Sequence, residues 1–140
     1  MHSHHITCCT FWFNTTIFCQ IRVGDVGAEA DMLLKLGRNP RLVRYFGSFV
    51  DPADGQCVLV TEFARLGSLD KHLEEVEDDI TMQHRLVIAG QIASGMEALA
   101  YAGLVHRDLA IRNVLVFQYS DSDPNATSVK VTDFGLTVNL

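Results

Sequence analysis

Between Thr81 and Gly103 the chain carries Met82, Leu86, Ala89, Ile92, Met96 and Leu99 at spacings of three and four, the period of one helical face. Thr81 is suited to cap the start and Gly103 to stop the run. A helix of this length, on the order of 30 Å at 1.5 Å per residue, has to bury its apolar stripe, and that stripe is expected to be core. Three short apolar segments follow it, LV at 104–105, VLVF at 114–117 and VKV at 129–131. Polar loops separate them, and each reads as a strand.

The part before this helix has a different texture. NPRLVRYFGSFV (39–50) and QCVLVTEF (56–63) are β-rich and flank a DPADG turn, which predicts an antiparallel hairpin with Val58 to Val60 as buried strand. Upstream, DVGAEADMLLKLG (25–37) predicts a short helix capped by Asp25, with Glu29, Leu33 and Leu36 on one face and Gly37 past its end. A second short helix is expected around Leu69 to Leu73, ahead of the acidic stretch Glu74 to Asp79. No repeat or low-complexity tract is present.

Composition narrows the function classes. With 140 residues, 48% hydrophobic and 20% charged, the chain suits one compact domain. A net charge of −6 without any basic run argues against nucleic acid or an anionic membrane as partner. Cys8, Cys9, Cys19 and Cys57 form no CxxC pair, so reduced thiols and a cytoplasmic location are expected. The apolar run in residues 6–19 is too short to span a bilayer and is broken by Asn14, Thr15 and Thr16, which disfavours a signal peptide. His2, His4 and His5 read as a solvated tail, and the sequons at Asn14 and Asn125 matter only on a secretory route.

The chemistry is concentrated in the loops between the late strands. In VHRDLAIRNVLV, Asp108 and Asn113 lie five apart between apolar segments, so both side chains can enter one cleft; VTDFGL then brings Asp133. Carboxylate and amide oxygens are hard donors that suit Mg²⁺ carrying phosphate. A hydroxyl nucleophile also needs a carboxylate not consumed by metal, a general-base role open to Asp108.

HRDLAIRN followed by DFG resembles the catalytic loop and magnesium motif of the protein kinases. The resemblance implies an α+β protein-kinase-like fold, truncated to part of the small lobe, the hinge and the start of the mainly helical large lobe. It implies Asp108 and Arg112 as catalytic residues, Asn113 and Asp133 as magnesium ligands, and His106 against Phe134. Arg107 would answer a phosphorylated activation loop. VLVTEFARLGSL resembles the hinge, with Thr61 as gatekeeper, the backbone of Glu62 and Ala64 on adenine, and Leu115 beneath the base. Glu29 with Leu33 resembles the regulatory helix of the small lobe. The Ala110 to Arg112 spacing is closer to tyrosine kinases, and tyrosine-kinase-like serine/threonine enzymes share it. ATP and Mg²⁺ are the implied cofactors, and ATP and a protein substrate the implied partners.

Departures from the pattern set the expected activity. Kinases pair a strand lysine with the helix glutamate and cover the phosphates with a glycine-rich loop. Lys35, Lys71 and Lys130 all follow Glu29, and only Gly24 and Gly27 precede it. Arg22, seven residues upstream, does not reproduce lysine's compact ammonium. The sequence ends at Leu140, soon after Gly135. The expectation is an unassigned segment 1–22 and a partial kinase domain 23–140, inactive as an isolated chain, with a non-catalytic pseudokinase module as the alternative. Exposed apolar surface on the 82–102 helix would then favour a protein partner. The long interval between Asn113 and Asp133 is expected to be a hairpin with an inserted loop.

Overall fold

The computed structural model describes residues 11–13, 16–23, 34, 36–76, 80–134 and 137–139. The chain divides into two compact units whose sequences interleave, residues 1–37 with 44–63, and residues 38–43 with 64–140.

The first unit holds an antiparallel sheet of β1 (Phe11–Phe13), β2 (Thr16–Val23), β3 (Tyr45–Val50) and β4 (Cys57–Glu62), in the order β1-β2-β4-β3. Strand β4 is central, paired with β2 from Phe18↔Glu62 to Val23↔Cys57 and with β3 from Tyr45↔Thr61 to Val50↔Cys57. Its unbroken apolar run suits a strand flanked on both edges: Val58 and Leu59 are buried, while Phe49 and Val50 on the edge strand β3 are exposed. The β3–β4 hairpin is the expected one. Asp51 closes its turn, accepting from the N–H of Ala53 at its side chain (3.0 Å) and of Gly55 at its carbonyl (2.8 Å), the local bonding that favours aspartate in turns. Thr16–Val23 enters this sheet from the stretch that the sequence leaves mostly unassigned. Leu34 and Leu36 are helical. The predicted helix start, with Glu29 and Leu33, lies outside the described residues.

The second unit contains α1 (Leu69–Glu75), α2 (Met82–Tyr101), β5 (Leu104–Val105), β6 (Val114–Gln118), β7 (Ser128–Val131) and β8 (Val138–Asn139). Strands β6 and β7 form the antiparallel hairpin expected for the long interval, and β5 pairs with β8. The alternation along the hairpin places Val114, Val116, Val129 and Val131 on one buried face. Val114, Val116 and Val129 meet Leu69 of α1 and Ile88 of α2 in one apolar cluster. At about 1.5–3 kcal/mol per aliphatic side chain, this cluster is the main driving force holding the hairpin to the helices.

The bounds of α2 match the sequence, but its buried face does so only in part: Leu99 is buried and Ile92 packs against the apolar cluster. Thr81 caps the helix, accepting from the His84 N–H at 3.3 Å, and Gly103 follows its end with φ 72°. Met82 and Leu86 are 70% and 60% exposed, and Ala89 is exposed as well. The buried positions are His84, Ile88, Gly95 and Leu99. The helix is rotated relative to its apolar stripe because two non-apolar features demand the interior. His84 is fully bonded there: its Nε2 donates to the Ser120 carbonyl at 2.9 Å, and its Nδ1 lies 2.8 Å from the Thr81 hydroxyl. Gly95 admits residues 41–42, since a Cβ there would lie 3.0 Å from the Arg41 carbonyl oxygen and 3.2 Å from Val131 Cγ2.

Candidate active site

The loop from His106 to Asn113 is shaped by a backbone reversal. Arg107 has φ 64°, a left-handed conformation that costs a residue with a Cβ roughly 1–2 kcal/mol. The reversal leaves Arg107 on the surface and His106 fully buried. His106 then ties the loop to the end of β7. Its Nε2 lies 2.9 Å from the Thr132 carbonyl, which can only accept, so Nε2 carries the proton. Nδ1 accepts from the Asp108 N–H at 3.3 Å. The ring of Phe134, also buried, sits 5.6 Å from that of His106, an aromatic contact in the favourable range.

Asp108, Arg112 and Asn113 form one bonded set. The Arg112 guanidinium donates to both Asp108 carboxylate oxygens, at 2.8 and 3.0 Å. Asn113 donates from Nδ2 to the Asp108 carbonyl (2.9 Å) and to Oδ2 (3.1 Å). Because the Asp108 carbonyl has no proton to give, this bond fixes the amide orientation and leaves Oδ1 as the end able to meet a cation. Asn113 is buried, whereas Asp108 is half-buried and Arg112 exposed. A short 3₁₀ turn, Ile111–Asn113, brings these groups together, its Asn113 N–H donating to the Ala110 carbonyl at 2.9 Å.

Asp133 is reached through the same framework. The Asn113 carbonyl accepts from the Thr132 N–H at 2.9 Å, so the loop and the exit of β7 are joined one residue before Asp133. Asp133 has φ 63° and an exposed side chain. Aspartate tolerates this conformation better than most residues, and such outliers concentrate where function over-determines the backbone. The donors are an amide oxygen and a carboxylate, a hard set that fits Mg²⁺. Among the described residues no group of three His, Cys, Asp or Glu is placed to hold a metal ion.

The remaining sequence-predicted residues divide between the units. Thr61, buried, and Glu62 close β4 in the first unit. Glu62 is tied to Arg44, donating its N–H to the Arg44 carbonyl (2.9 Å) and accepting from the Arg44 N–H at Oε1 (2.7 Å). Ala64, buried in the second unit, accepts from the Gly67 N–H at 3.2 Å. Leu115 is half-buried on β6, opposite Lys130 and bridged to Ser68. Glu29 lies outside the described residues. Sequence reasoning missed Thr132, whose backbone joins His106 to Asn113. Nothing in its spacing marks it, because both of its bonds are made by the main chain.

A family model described as protein tyrosine and serine/threonine kinase matches residues 20–140. The chain belongs to this family. It is 44% identical over 98 residues to the receptor tyrosine-protein kinase erbB-4 of Homo sapiens, covering 70% of this chain and 7% of that protein. Over 113 residues it is 35% identical to the tyrosine-protein kinase FRK of Homo sapiens, covering 80% and 20% respectively. Over 124 residues it is 32% identical to fibroblast growth factor receptor 2 of Dugesia japonica, covering 78% and 13%. The chain thus spans between 7% and 20% of the length of these relatives. Its α+β fold is a partial kinase-like one. Among the described residues no helix is long and apolar enough to cross a membrane.

Proposed function

We propose that this chain is the nucleotide- and substrate-facing portion of a protein kinase that phosphorylates protein hydroxyls from ATP, with tyrosine as the favoured acceptor. The observation that carries the reading is the bonded set Asp108–Arg112–Asn113, joined through the Asn113 carbonyl to the strand that ends at Asp133. In this reading Asp108 orients the acceptor hydroxyl and takes up its proton at the carboxylate. Arg112 holds that carboxylate from the solvent side. Asn113 Oδ1 and Asp133 hold magnesium, which when bound with ATP neutralises phosphate charge. Thr61, Glu62, Ala64, Leu115 and Glu29 keep, as proposals, the roles that the family resemblance implies for each. The setting is cytoplasmic.

Expressed alone, the 140 residues are expected to give no measurable phosphotransfer. They hold no lysine before Glu29 and no glycine-rich loop, and each missing electrostatic group typically costs about 10²–10³ in rate. A second reading, a non-catalytic interaction module, is favoured by the exposed apolar residues Met82, Leu86 and Tyr101 on α2. Thermal-shift titration with ATP and Mg²⁺ separates the two, comparing wild type with Asp133→Asn. Stabilisation that needs Asp133 supports a nucleotide site on this chain. A folded chain that shows no shift removes nucleotide binding and leaves the interaction module.

A further inference from the structure

One edge of β7 pairs with β6, and the opposite edge is served by groups from outside any named strand. The Val131 N–H donates to the Arg41 carbonyl and the Val131 carbonyl accepts from the Val43 N–H, both at 2.9 Å, so residues 41–43 act as a short parallel partner for the last residue of β7. Where this partner runs out, a side chain takes over. Gln91 of α2 accepts from the Val129 N–H at Oε1 (2.8 Å) and donates from Nε2 to the Thr127 carbonyl (2.7 Å). Its Oε1 also accepts from Arg41 Nη1 at 2.8 Å. A side-chain amide offers the same donor and acceptor as a peptide unit. Gln91 therefore completes the edge that the backbone of residues 41–43 begins, and Gly95, one turn on, leaves the room for that backbone.

We propose that Gln91 is a positioning residue for Asp133: its amide serves as a surrogate peptide along β7 and fixes the strand whose exit carries the magnesium-binding carboxylate. This rests on the reading of Asp133 given above. From Thr127 to Val131 the strand is fixed by Gln91 and residues 41–43, and at Thr132 by Asn113 and His106. Loosening the Gln91 bonds leaves the strand before Asp133 held by β6 and residues 41–43, with its outer edge open at Thr127 and Val129. Groups that orient metal ligands without touching the ion typically change affinity by about 10–100-fold.

The test uses the 140-residue chain with the variants Gln91→Met, which removes all three bonds, and Gln91→Glu, which keeps acceptors for Val129 and Arg41 while losing the donor to Thr127. Ile92→Val, packed against the apolar cluster, serves as a control for general loss of stability. Amide hydrogen exchange is measured at Val129, Thr132 and Asp133, and amide shifts are followed during titration with MgCl₂. In Gln91→Met we expect exchange at Thr132 and Asp133 to accelerate and the Asp133-dependent magnesium response to weaken about tenfold. Gln91→Glu should recover part of both, and Ile92→Val should leave both unchanged. Wild-type exchange at these amides in folded Gln91→Met, or in Gln91→Glu should Gln91→Met not fold, overturns the proposal. An equal acceleration in Ile92→Val overturns it too. A wild-type chain whose magnesium response is absent, or persists in Asp133→Asn, removes the metal reading instead, and the exchange data still decide the role of Gln91.

Discussion

Two glycines in α2, five residues apart, should respond oppositely to the same substitution. Gly90 is exposed, and a Cβ placed on it meets nothing within 4 Å. Replacing it by alanine gains only helix propensity, about 1 kcal/mol. At Gly95 the new Cβ would lie 3.0 Å from the Arg41 carbonyl oxygen, 3.2 Å from Val131 Cγ2 and 3.4 Å from Leu42 Cδ2. The Arg41 carbonyl cannot withdraw without lengthening its 2.9 Å bond from the Val131 N–H. Overpacking of this kind costs roughly 1–3 kcal/mol. Set against the same gain in propensity, Gly95→Ala comes out neutral to about 2 kcal/mol destabilising. Because propensity cancels between the two variants, the difference in their unfolding free energies isolates the overpacking cost. Urea unfolding of both variants beside wild type measures it, with unchanged m-values as the sign that only stability has moved. Equal stabilisation by both substitutions would refute the close approach of residues 41–42 to this helix.

Thr81→Ala removes a cap that bonds both the backbone and the ring of His84, and should cost about 1 kcal/mol in urea unfolding. Asn113→Ala strips two bonds from Asp108 inside a buried corner; a loss of about 1–3 kcal/mol is expected, with the Asp108 and Thr132 amide resonances moving most. Asp70 has its carboxyl held below the ordinary 3.8, first by the Ser68 hydroxyl, with burial acting the other way and nearby backbone N–H groups adding to the lowering. A depressed folded value stabilises the fold above the unfolded value and loses that effect as pH falls through the folded one. The stability gap between wild type and Asp70→Asn should therefore be constant from neutrality to just above 3.8 and close below it, as read from urea midpoints at stepped pH.

How much of this was legible in the sequence depends on what kind of interaction places each residue. Helix and strand limits were readable because they follow from local signals: Thr81 and Gly103 bracket α2, and the DPADG turn sets the β3–β4 hairpin. The pairing of Asp108 with Asn113 was readable for a similar reason, since a loop of that length between two fixed ends brings its ends together. The rotation of α2 was not. Apolar periodicity counts only hydrophobic side chains, and here a histidine and a glycine take interior positions while a half-buried glutamine bonds the edge of β7. The partners of His84 and Gln91 include groups 36 to 50 residues away, so no window of sequence contains them. His106 shows both cases at once. Its place beside Phe134 follows from the family resemblance, while the choice of proton-bearing nitrogen follows only from the Thr132 carbonyl.

The interleaving of the two units has a consequence for how the chain is made. Arg41 and Val43 supply the outer partner of Val131, yet they are synthesised about ninety residues earlier, which at 5–20 residues per second is a wait of roughly 4–18 s. Until then residues 38–43 lack their strand partner, while the segments flanking them in sequence belong to the first unit and can already pair in its sheet. Building the second unit thus includes the capture of a segment from the early part of the chain by a strand from its late part. A nascent chain stalled before Val131 should keep the Arg41–Leu42 peptide open to protease, and one stalled far enough beyond it should not.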